Sequence, residues 1–327
     1  MVELQSVWGW QPAVYLFLGG MGAGAFIVAA LLFFIDREKH KRIINISLWS
    51  SVACLVIGLL FLLSELVNPL RGLLLWQSFS HGTSWMTFGA WVVLAAVVVF
   101  AAMAVCTTDK LIAWIASKWK AFSSWQNRLC PILAVAGIVL GVCVAVYTGM
   151  LLMFAQGVPL WNTLLLPCLF TVSALGTGVA LVEIISVIVE KKEAATQRVR
   201  RMLGVSVVIL VILESLVLLA FVLTMLSGNV TNAFSLGASA MAATASATIL
   251  VSGSLAPYFW ALVVVCGLAV PLLAAIAGLL MREKHNLGLI VAGATGALIG
   301  GCALRFLVIL AGMHADFVAD AVARLIS

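Results

Sequence analysis

Four ionisable side chains lie inside stretches that are otherwise apolar, and they are the first candidates for chemistry. Arg305 stands within the apolar residues from Leu289 to Gly312. Because a guanidinium keeps its charge, placing it in a bilayer costs about 2.5 kcal/mol or more. Carboxylates occupy comparable positions at Glu65, Glu183 and Glu214. Ionisable groups inside membrane helices typically serve the movement of protons, ions or a polar-headed, lipid-soluble substrate.

Two interpretations of the deeper charges remain open at this point. Glu214 is predicted near the middle of its span, and Glu183 about two turns from the end of its own. With Arg305 they would extend across much of the membrane, which is typical of a proton route. A static, buried ion pair that fixes the packing of the helices explains the same residues.

Polar and aromatic side chains form a second group, at one end of the predicted helices. Glu65 lies in the last turn of the second span, where the negative end of the helix dipole requires a partner such as Arg71 or Arg305, or a proton. Such a group fits a polar ligand or an interfacial aromatic belt, and we assign Trp8 and Trp161 to the belt. The candidate members are Trp10, Gln11, Tyr15, Glu65, Asn68, Arg71, His81, Ser84, Trp85, Tyr147 and Thr148.

No metal site, haem site or catalytic residue is predicted in the chain itself. Haem in a helical bundle needs facing histidines, whereas the four present lie at membrane edges or in turns (His40, His81, His285 and His314). The seven cysteines are scattered without a CxxC pair, and we interpret them as packing residues.

The composition requires membrane helices to position these residues. The chain is 64% hydrophobic and 9% charged, unlike a soluble domain. Since a span needs about 20 apolar residues, we predict an all-α integral membrane protein with eight transmembrane helices. The spans are Pro12–Ile35, Ile46–Val67, Trp85–Thr107, Ile132–Ala155, Leu164–Val189, Leu203–Leu226, Pro257–Met281 and Leu289–Gly312.

Charge bias predicts the orientation of the chain. The turns after the first, third, fifth and seventh spans hold 15 of the 18 basic residues, and the other side holds Arg71 and Arg324. By the positive-inside rule, both termini lie on the periplasmic or outer side. The net charge of +6 reflects this bias and gives no support to nucleic-acid binding.

Two connecting segments and three small-residue stripes complete the pattern. Residues 109–130 have helical periodicity and are predicted to form an amphipathic segment on the cytoplasmic surface, with an irregular loop as the alternative. The uncharged segment Gly228–Ser254 is interpreted as a lid or partner surface, or as a flexible loop. Small residues mark close helix packing, and they form three stripes: Gly20 and Gly24; Gly176, Ala180 and Glu183; Ala294, Ala297, Gly301 and Arg305.

Four stretches together resemble one known family, the NrfD/PsrC-type membrane subunits of bacterial respiratory complexes. They are WGWQPAVYLFLGGMGAG (8–24), NPLRGLLLWQSFSHGTSWMTFGAW (68–91), YTGMLLMFAQGVPLWNTLLLPCLFTVSALGTG (147–178) and GGCALRFLVILAG (300–312). The stretches are distributed over the whole chain in the family's order.

The resemblance implies an architecture and a set of partners. It implies two four-helix bundles, residues 1–155 with a quinone site near the outer face and residues 156–327. It implies no resident cofactor, an iron–sulfur partner of the four-cluster type, and a molybdopterin catalytic subunit on the periplasmic side. The family's quinone-site tyrosine resembles Tyr147, and the contribution of the first helix falls on Gln11 and Tyr15.

The expected function is therefore a membrane anchor that binds menaquinone or ubiquinone and passes electrons between quinol and the iron–sulfur partner. We assign quinone binding to Gln11, Tyr15, Glu65, His81, Tyr147 and Thr148, with Glu65 or His81 accepting protons. Proton conduction through Glu183, Glu214 and Arg305 is an added hypothesis. The expected location is the bacterial inner membrane. Alternatives are an ion- or proton-coupled secondary transporter, which predicts broken helices at matching points in two halves, and a purely structural anchor.

Overall fold

The chain is helical through almost all of the residues that the computed structural model describes: 3–4, 8–65, 85–118, 122–155, 157–189, 194–228, 237–280 and 287–314. Within these ranges the helices are α1 (Trp10–Asp36), α2 (Lys41–Glu65), α3 (Trp85–Thr107), α4 (Asp109–Lys118), α5 (Phe122–Met153), α6 (Leu165–Val189), α7 (Ala194–Leu226), α8 (Gly237–Val251), α9 (Ala256–Leu280) and α10 (Leu287–Leu310).

Eight of these helices are long and apolar enough to cross a membrane, namely all except α4 and α8. Their apolar parts contain 20 to 29 residues, which matches the length that a bilayer requires. The predicted multi-pass, all-α fold is therefore confirmed. The largest difference in bounds is at α5, which begins at Phe122 instead of residue 132, because polar residues outside the membrane can continue a helix.

Helix contacts divide the eight spans into two groups of four. In the first group, α1 packs on α2 and α5, and α3 packs on the same two helices. In the second group, α6 and α9 each pack on α7 and α10. The two groups meet mainly where α1 and α5 contact α6. Domain boundaries at residues 1–155 and 156–327 stay a prediction.

The crossing of α1 and α6 depends on glycines. A Cβ atom at Gly24 would overlap the carbonyl oxygen of Ala174, and one at Gly178 would overlap the backbone of Gly24. At Gly20 a Cβ would lie 3.0 Å from the Ala174 methyl group. The packing role predicted for Gly20 and Gly24 is confirmed, since only residues without a Cβ let the two backbones approach this closely.

One end of the molecule carries the described basic residues of the α1–α2 turn, of α4 and of the start of α7, and we call it the basic end. There the α1–α2 turn is joined to α4 by a Lys41–Asp109 ion pair of 2.6 Å. Asn45 and Trp49 of α2 donate hydrogen bonds to the Thr108 hydroxyl, at 2.7 and 3.0 Å. The amphipathic segment predicted over residues 109–130 is helical, but only as α4, because residues 122–130 belong to α5.

At the end of the molecule opposite the basic end, the first and last described residues of the chain pair with each other. Strand β1 (Glu3–Leu4) pairs antiparallel with β2 (Met313–His314). Beside this pair Trp161 is 1% exposed, and its indole nitrogen donates to the Val308 carbonyl at 2.9 Å. The assignment of Trp161 to an interfacial belt was therefore wrong, because a tertiary hydrogen bond holds it in the interior.

Helix α8 lies within the uncharged segment at the opposite end. It has 15 residues, and it contacts α7 and β2. At 1.5 Å per residue it is about 22 Å long, shorter than a bilayer core of about 30 Å. The flexible-loop interpretation is therefore wrong for residues 237–251, whereas the lid or partner-surface interpretation stays a prediction.

Helix α9, which belongs to the second helix group, has irregular geometry in its first half. Its residues Phe259–Ala269 form a π-helix, and the α-helix resumes at Val270. Pro271 follows immediately, and a proline lacks the N–H that would bond the preceding turn. The backbone of Gly267 lies directly against that of Gly300 in α10. Wide turns of this type are frequent at functional sites.

Candidate functional site

Tyr15, Tyr147 and Thr148 meet near the opposite end of the first helix group. A Cβ at Gly19 would lie 3.9 Å from the Tyr15 ring and 3.8 Å from the Thr148 methyl group. Tyr15 and Tyr147 are close enough to interact electrostatically, and their exposed fractions are 2% and 7%. The fold thus brings together three of the residues predicted to bind quinone.

The hydroxyl groups of this cluster differ in their hydrogen bonds to the described residues. Neither the Tyr15 nor the Tyr147 hydroxyl forms a hydrogen bond with a residue that the structure describes. The Thr148 hydroxyl donates to the Ala145 carbonyl at 2.7 Å, within its own helix. Buried polar groups normally have partners, so the two phenols suit a bound polar head group.

Two glycines that shape this cluster were not predicted. The Tyr147 ring and hydroxyl occupy the space that a Cβ at Gly89 of α3 would need. A Cβ at Gly58 of α2 would lie 3.5 Å from the Tyr15 ring. In the sequence, only the position of Gly89 inside the family-like stretch 68–91 could have drawn attention to it.

The remaining quinone-site candidates are less fully described. Gln11 is half-buried and lies one helical turn before Tyr15, on the same face of α1. Glu65 is the final residue of α2, within the predicted last turn, but its side chain lies outside the described set. His81, Asn68, Arg71 and Ser84 lie outside the described residues, so their membership of the site stays a prediction.

Arg305 joins the two helix groups and is completely buried. Its Nε donates to the Leu16 carbonyl of α1 at 3.1 Å, and Nη2 to the Phe170 carbonyl of α6 at 3.4 Å. Nη1 donates to the Ser173 hydroxyl at 3.2 Å and to the Gly301 carbonyl at 2.7 Å. The charge is thus solvated by fixed dipoles, and one of its acceptors adjoins Tyr15.

A direct ion pair between Arg305 and a buried glutamate is not formed. Among the described residues, no cation lies within ion-pair distance of Glu183 or Glu214. Glu214 instead lies near the Ser173 hydroxyl and interacts with Arg305 only electrostatically. Backbone carbonyls of α1 and α6 provide acceptors for Arg305 instead, and the choice between a static pair and a proton route stays a prediction. A link through Ser173 was not predicted.

The predicted small-residue stripes line a cavity in the second helix group. Its volume is about 330 Å³, and it lies between α6, α7, α9 and α10. Glu183 and Glu214 both contribute to its wall, together with Gly176, Ala180, Ala294 and Ala297 from the predicted stripes. The stripes therefore leave space in this part of the molecule instead of only allowing close packing.

The chemistry available in the described residues is hydrogen bonding and proton transfer. No group of three metal-ligating side chains is found among them. Phenol hydroxyls can hold carbonyl or hydroxyl oxygens of a ligand, and carboxylates can accept and release protons.

Comparisons with known proteins agree on one family. The family model described as "Polysulphide reductase, NrfD" matches residues 3–316. The C component of the polysulfide reductase of Wolinella succinogenes is 29% identical over 313 residues, covering 94% of each protein. Protein NrfD of Escherichia coli is 27% identical, over 53% of this chain and 58% of its own. The C component of the selenate reductase of Mesobacillus selenatarsenatis is 30% identical over 66 residues, which are 20% of this chain and 16% of its own.

Proposed function

This chain belongs to the polysulphide reductase NrfD family, and from that membership we propose that it is the quinone-binding membrane subunit of a respiratory oxidoreductase. In this proposal the chain exchanges electrons between a quinol and a partner subunit. The observation that carries it is the pair of buried phenols, Tyr15 and Tyr147, near one end of a membrane bundle, whose hydroxyls have no hydrogen-bond partner among the described residues.

Glycines of three helices pack against the two tyrosines, namely Gly19 of α1, Gly58 of α2 and Gly89 of α3. Tyr147 lies six residues before the end of α5, about 9 Å from that end. A quinone head group at this depth could enter from the bilayer and remain near a partner docked on the opposite end.

The chemistry follows from the groups that would surround a quinol. Oxidation of one quinol releases two electrons and two protons, and the protons need acceptors near the ring. The Tyr147 and Gln11 side chains would hold the ring oxygens by hydrogen bonds. Glu65 or His81 would accept the protons at the opposite end, which the charge bias assigns to the outer face.

The names of two relatives support the proposal of partner subunits, which would carry the redox centre that exchanges electrons with the quinone. Two relatives are named as the C component of a reductase, which supports an assembly of several subunits. We propose an iron–sulfur subunit of the four-cluster type and a molybdopterin catalytic subunit on the outer side of a bacterial inner membrane. Menaquinone or ubiquinone is the quinone that we propose for this site.

Replacement of Tyr147 tests the quinone site directly. In the purified complex with its co-isolated partners, Tyr147→Phe removes one hydroxyl and keeps the ring. One hydrogen bond of about 1.4 kcal/mol corresponds to a tenfold change, so we expect the KM for a short-chain quinol to rise about tenfold. Tyr15→Phe should have an effect in the same direction. Steady-state oxidation of the quinol is the measurement.

Tyr258→Phe is the matched control. Tyr258 is 59% exposed and lies in the second helix group, so the same chemical change there should leave the KM unaltered. Quinone content of the purified complex provides an independent readout. Wild-type complex without quinone, or Tyr147→Phe complex with the affinity of the wild type, would contradict a site at this position.

A secondary transporter is the second candidate, because one observation favours it. The π-helical segment of α9 and Pro271 interrupt a helix beside buried carboxylates. The transporter class predicts a matching interruption in the other half. Among the described residues of the first group, Pro131 lies inside α5, but α5 remains a continuous α-helix. The required pair of broken helices is thus absent from the described residues.

A further inference from the structure

The cavity of the second helix group extends from the basic end into the membrane interior. Arg198, Arg200 and Arg201 line it near the start of α7, and Glu214 lines it farther along the same helix. Sixteen residues of helix separate Arg198 from Glu214, which corresponds to about 24 Å. The cavity therefore reaches across much of the hydrocarbon layer.

Two carboxylates in this cavity are buried without a cationic partner among the described residues. Glu183 is 8% exposed and Glu214 is 9% exposed, and neither pairs with a described cation. An ionised carboxylate without partners is strongly unfavourable in an apolar interior. Glu214 has the Ser173 hydroxyl as one partner, and the remaining oxygens of both carboxyl groups must bind a proton or water. A volume of about 330 Å³ holds on the order of ten water molecules at liquid density.

The cavity is open because small residues line it. A Cβ at Gly278 would meet no atom within 4 Å, and one at Gly204 would meet only the Leu279 side chain, at 3.8 Å. Both glycines lie near the basic end of their helices, beside the arginines. The lining residues from α9 and α10 carry no ionisable side chain, so Glu183 and Glu214 are the proton-binding groups of this wall.

Arg305 lies beyond the deep end of the cavity. Its Nη1 binds the Ser173 hydroxyl at 3.2 Å, and Glu214 approaches the same hydroxyl from the cavity side. Among the described residues, the only other titratable side chain that interacts with Arg305 is Cys302. A fixed guanidinium repels protons and cations, so positive charge that reaches Glu214 meets a barrier there.

We propose that this cavity is a water-filled proton inlet, open at the basic end and closed at Glu214 by Arg305. A proton from the cytoplasmic solvent binds the Glu183 carboxylate and passes through water to Glu214, and it leaves Glu214 past Arg305 only when the inlet is coupled to quinol oxidation. One proton moves in each passage, no covalent bond to carbon changes, and no electron is transferred. The inlet itself needs no quinone; only its coupling to turnover rests on the proposed function.

An acyl chain of a phospholipid is the competing occupant, with its head group on the three arginines. Two carboxylates in the wall disfavour it, because an acyl chain offers them neither hydrogen bonds nor charge. Water satisfies the same groups, so the inlet fits the lining better.

Thiol labelling tests water access without any electron transfer. Ala297→Cys introduces a thiol into the wall of the cavity. Ile299→Cys, two residues farther along α10, is the comparison, because Ile299 is 44% exposed on the surface that faces lipid. Thiols react as thiolates, which need water. In inside-out vesicles we therefore expect Ala297→Cys to react with a charged methanethiosulfonate about tenfold faster than Ile299→Cys. Peptide mass spectrometry separates position 297 from the native cysteines.

A larger side chain at the opening of the cavity provides the matched comparison. Adding Gly278→Leu to Ala297→Cys should slow labelling about tenfold, whereas Gly278→Ala should leave the rate unchanged, because the smaller side chain does not fill the space. Equal rates at positions 297 and 299 would overturn the proposal. Labelling that begins only after lipid is extracted would also overturn it, in favour of a lipid acyl group.

Proton uptake connects the inlet to the working complex. In proteoliposomes that oxidise quinol, Glu214→Gln should lower the number of protons taken up from the basic side per electron, and Glu214→Asp should restore part of it. Glu38→Gln, at an exposed position of the basic end, is the control. Unchanged proton uptake in Glu214→Gln would refute coupling while leaving the quinone site intact. Loss of quinol oxidation in the Tyr147→Phe variant concerns the quinone site alone and would leave the proposal of the inlet unchanged.

Discussion

At the scale of single residues, Arg305 shows how a permanent charge is held inside an apolar bundle. All four of its hydrogen bonds go to neutral oxygens, three carbonyls and one hydroxyl, from three helices. The Phe170 ring adds a cation–π contact at 5.2 Å. Because the acceptors belong to both helix groups, the side chain connects them.

Removal of Arg305 is expected to destabilise the fold. Arg305→Ala leaves the Leu16 and Phe170 carbonyls without their donor and creates a cavity, so we expect a loss of about 2–4 kcal/mol in the free energy of unfolding. Arg305→Lys should be intermediate, because an ammonium cannot reach all the acceptors of a planar guanidinium. Thermal unfolding in detergent is the measurement.

Lys39→Ala serves as the comparison for Arg305. Its ammonium forms an exposed ion pair with Asp36 at 3.1 Å, and such pairs contribute little to stability. If Arg305→Ala and Lys39→Ala both unfolded at the same temperature as the wild type, the connecting role of Arg305 would be refuted.

At the scale of elements, the contact between α1 and α6 is the joint between the two helix groups. It consists of backbone against backbone at Gly24 and Gly178, with Ala174 between them. Close backbone approach increases van der Waals contact in a bilayer, where lipid tails compete equally for apolar side chains. A single added methyl group is therefore the most informative perturbation.

Gly24→Ala is expected to separate these helices and to cost about 1–3 kcal/mol, as overpacking typically does. The reason is that the new methyl group would overlap the Ala174 carbonyl oxygen. Gly278→Ala makes the same change in α9, where the space is open, and should not lower stability. The measurement is the unfolding temperature of the two variants in the same detergent. An equal decrease in both would contradict a special packing role for Gly24.

At the scale of the whole molecule, charge separates the two ends. The described basic turns lie at one end with α4, and the strand pair and α8 lie at the other. The positive-inside rule assigns the basic end to the cytoplasm. The proposed quinone site and the proposed proton inlet then open toward opposite sides of the membrane.

Sided labelling tests this orientation. Glu38→Cys at the basic end and Ser254→Cys at the opposite end are both positions outside the spans. With an impermeant thiol reagent, Glu38→Cys should react in inside-out vesicles and Ser254→Cys in right-side-out vesicles. The reverse pattern would invert the assignment and with it the direction of the inlet.

The sequence alone predicted the eight spans and the small-residue stripes. Long apolar runs are visible without tertiary information, because the bilayer fixes their length. The stripes at Gly20 and Gly24 follow from helical periodicity, which places these residues on one face. The family resemblance, carried by residues 8–24, 68–91, 147–178 and 300–312, led to the same fold and is confirmed by the family match.

Only the tertiary structure decided which residues meet. Trp161 is buried by a hydrogen bond to Val308, 147 residues away, and no local pattern reveals such a partner. Arg305 is solvated by carbonyls of Leu16 and Phe170, whose backbone groups carry no sequence signal. The cavity around Glu183 and Glu214 likewise arises from four helices at once. Periodicity fixes the face of each helix, but the depth and rotation at which two faces pack depend on every side chain between them.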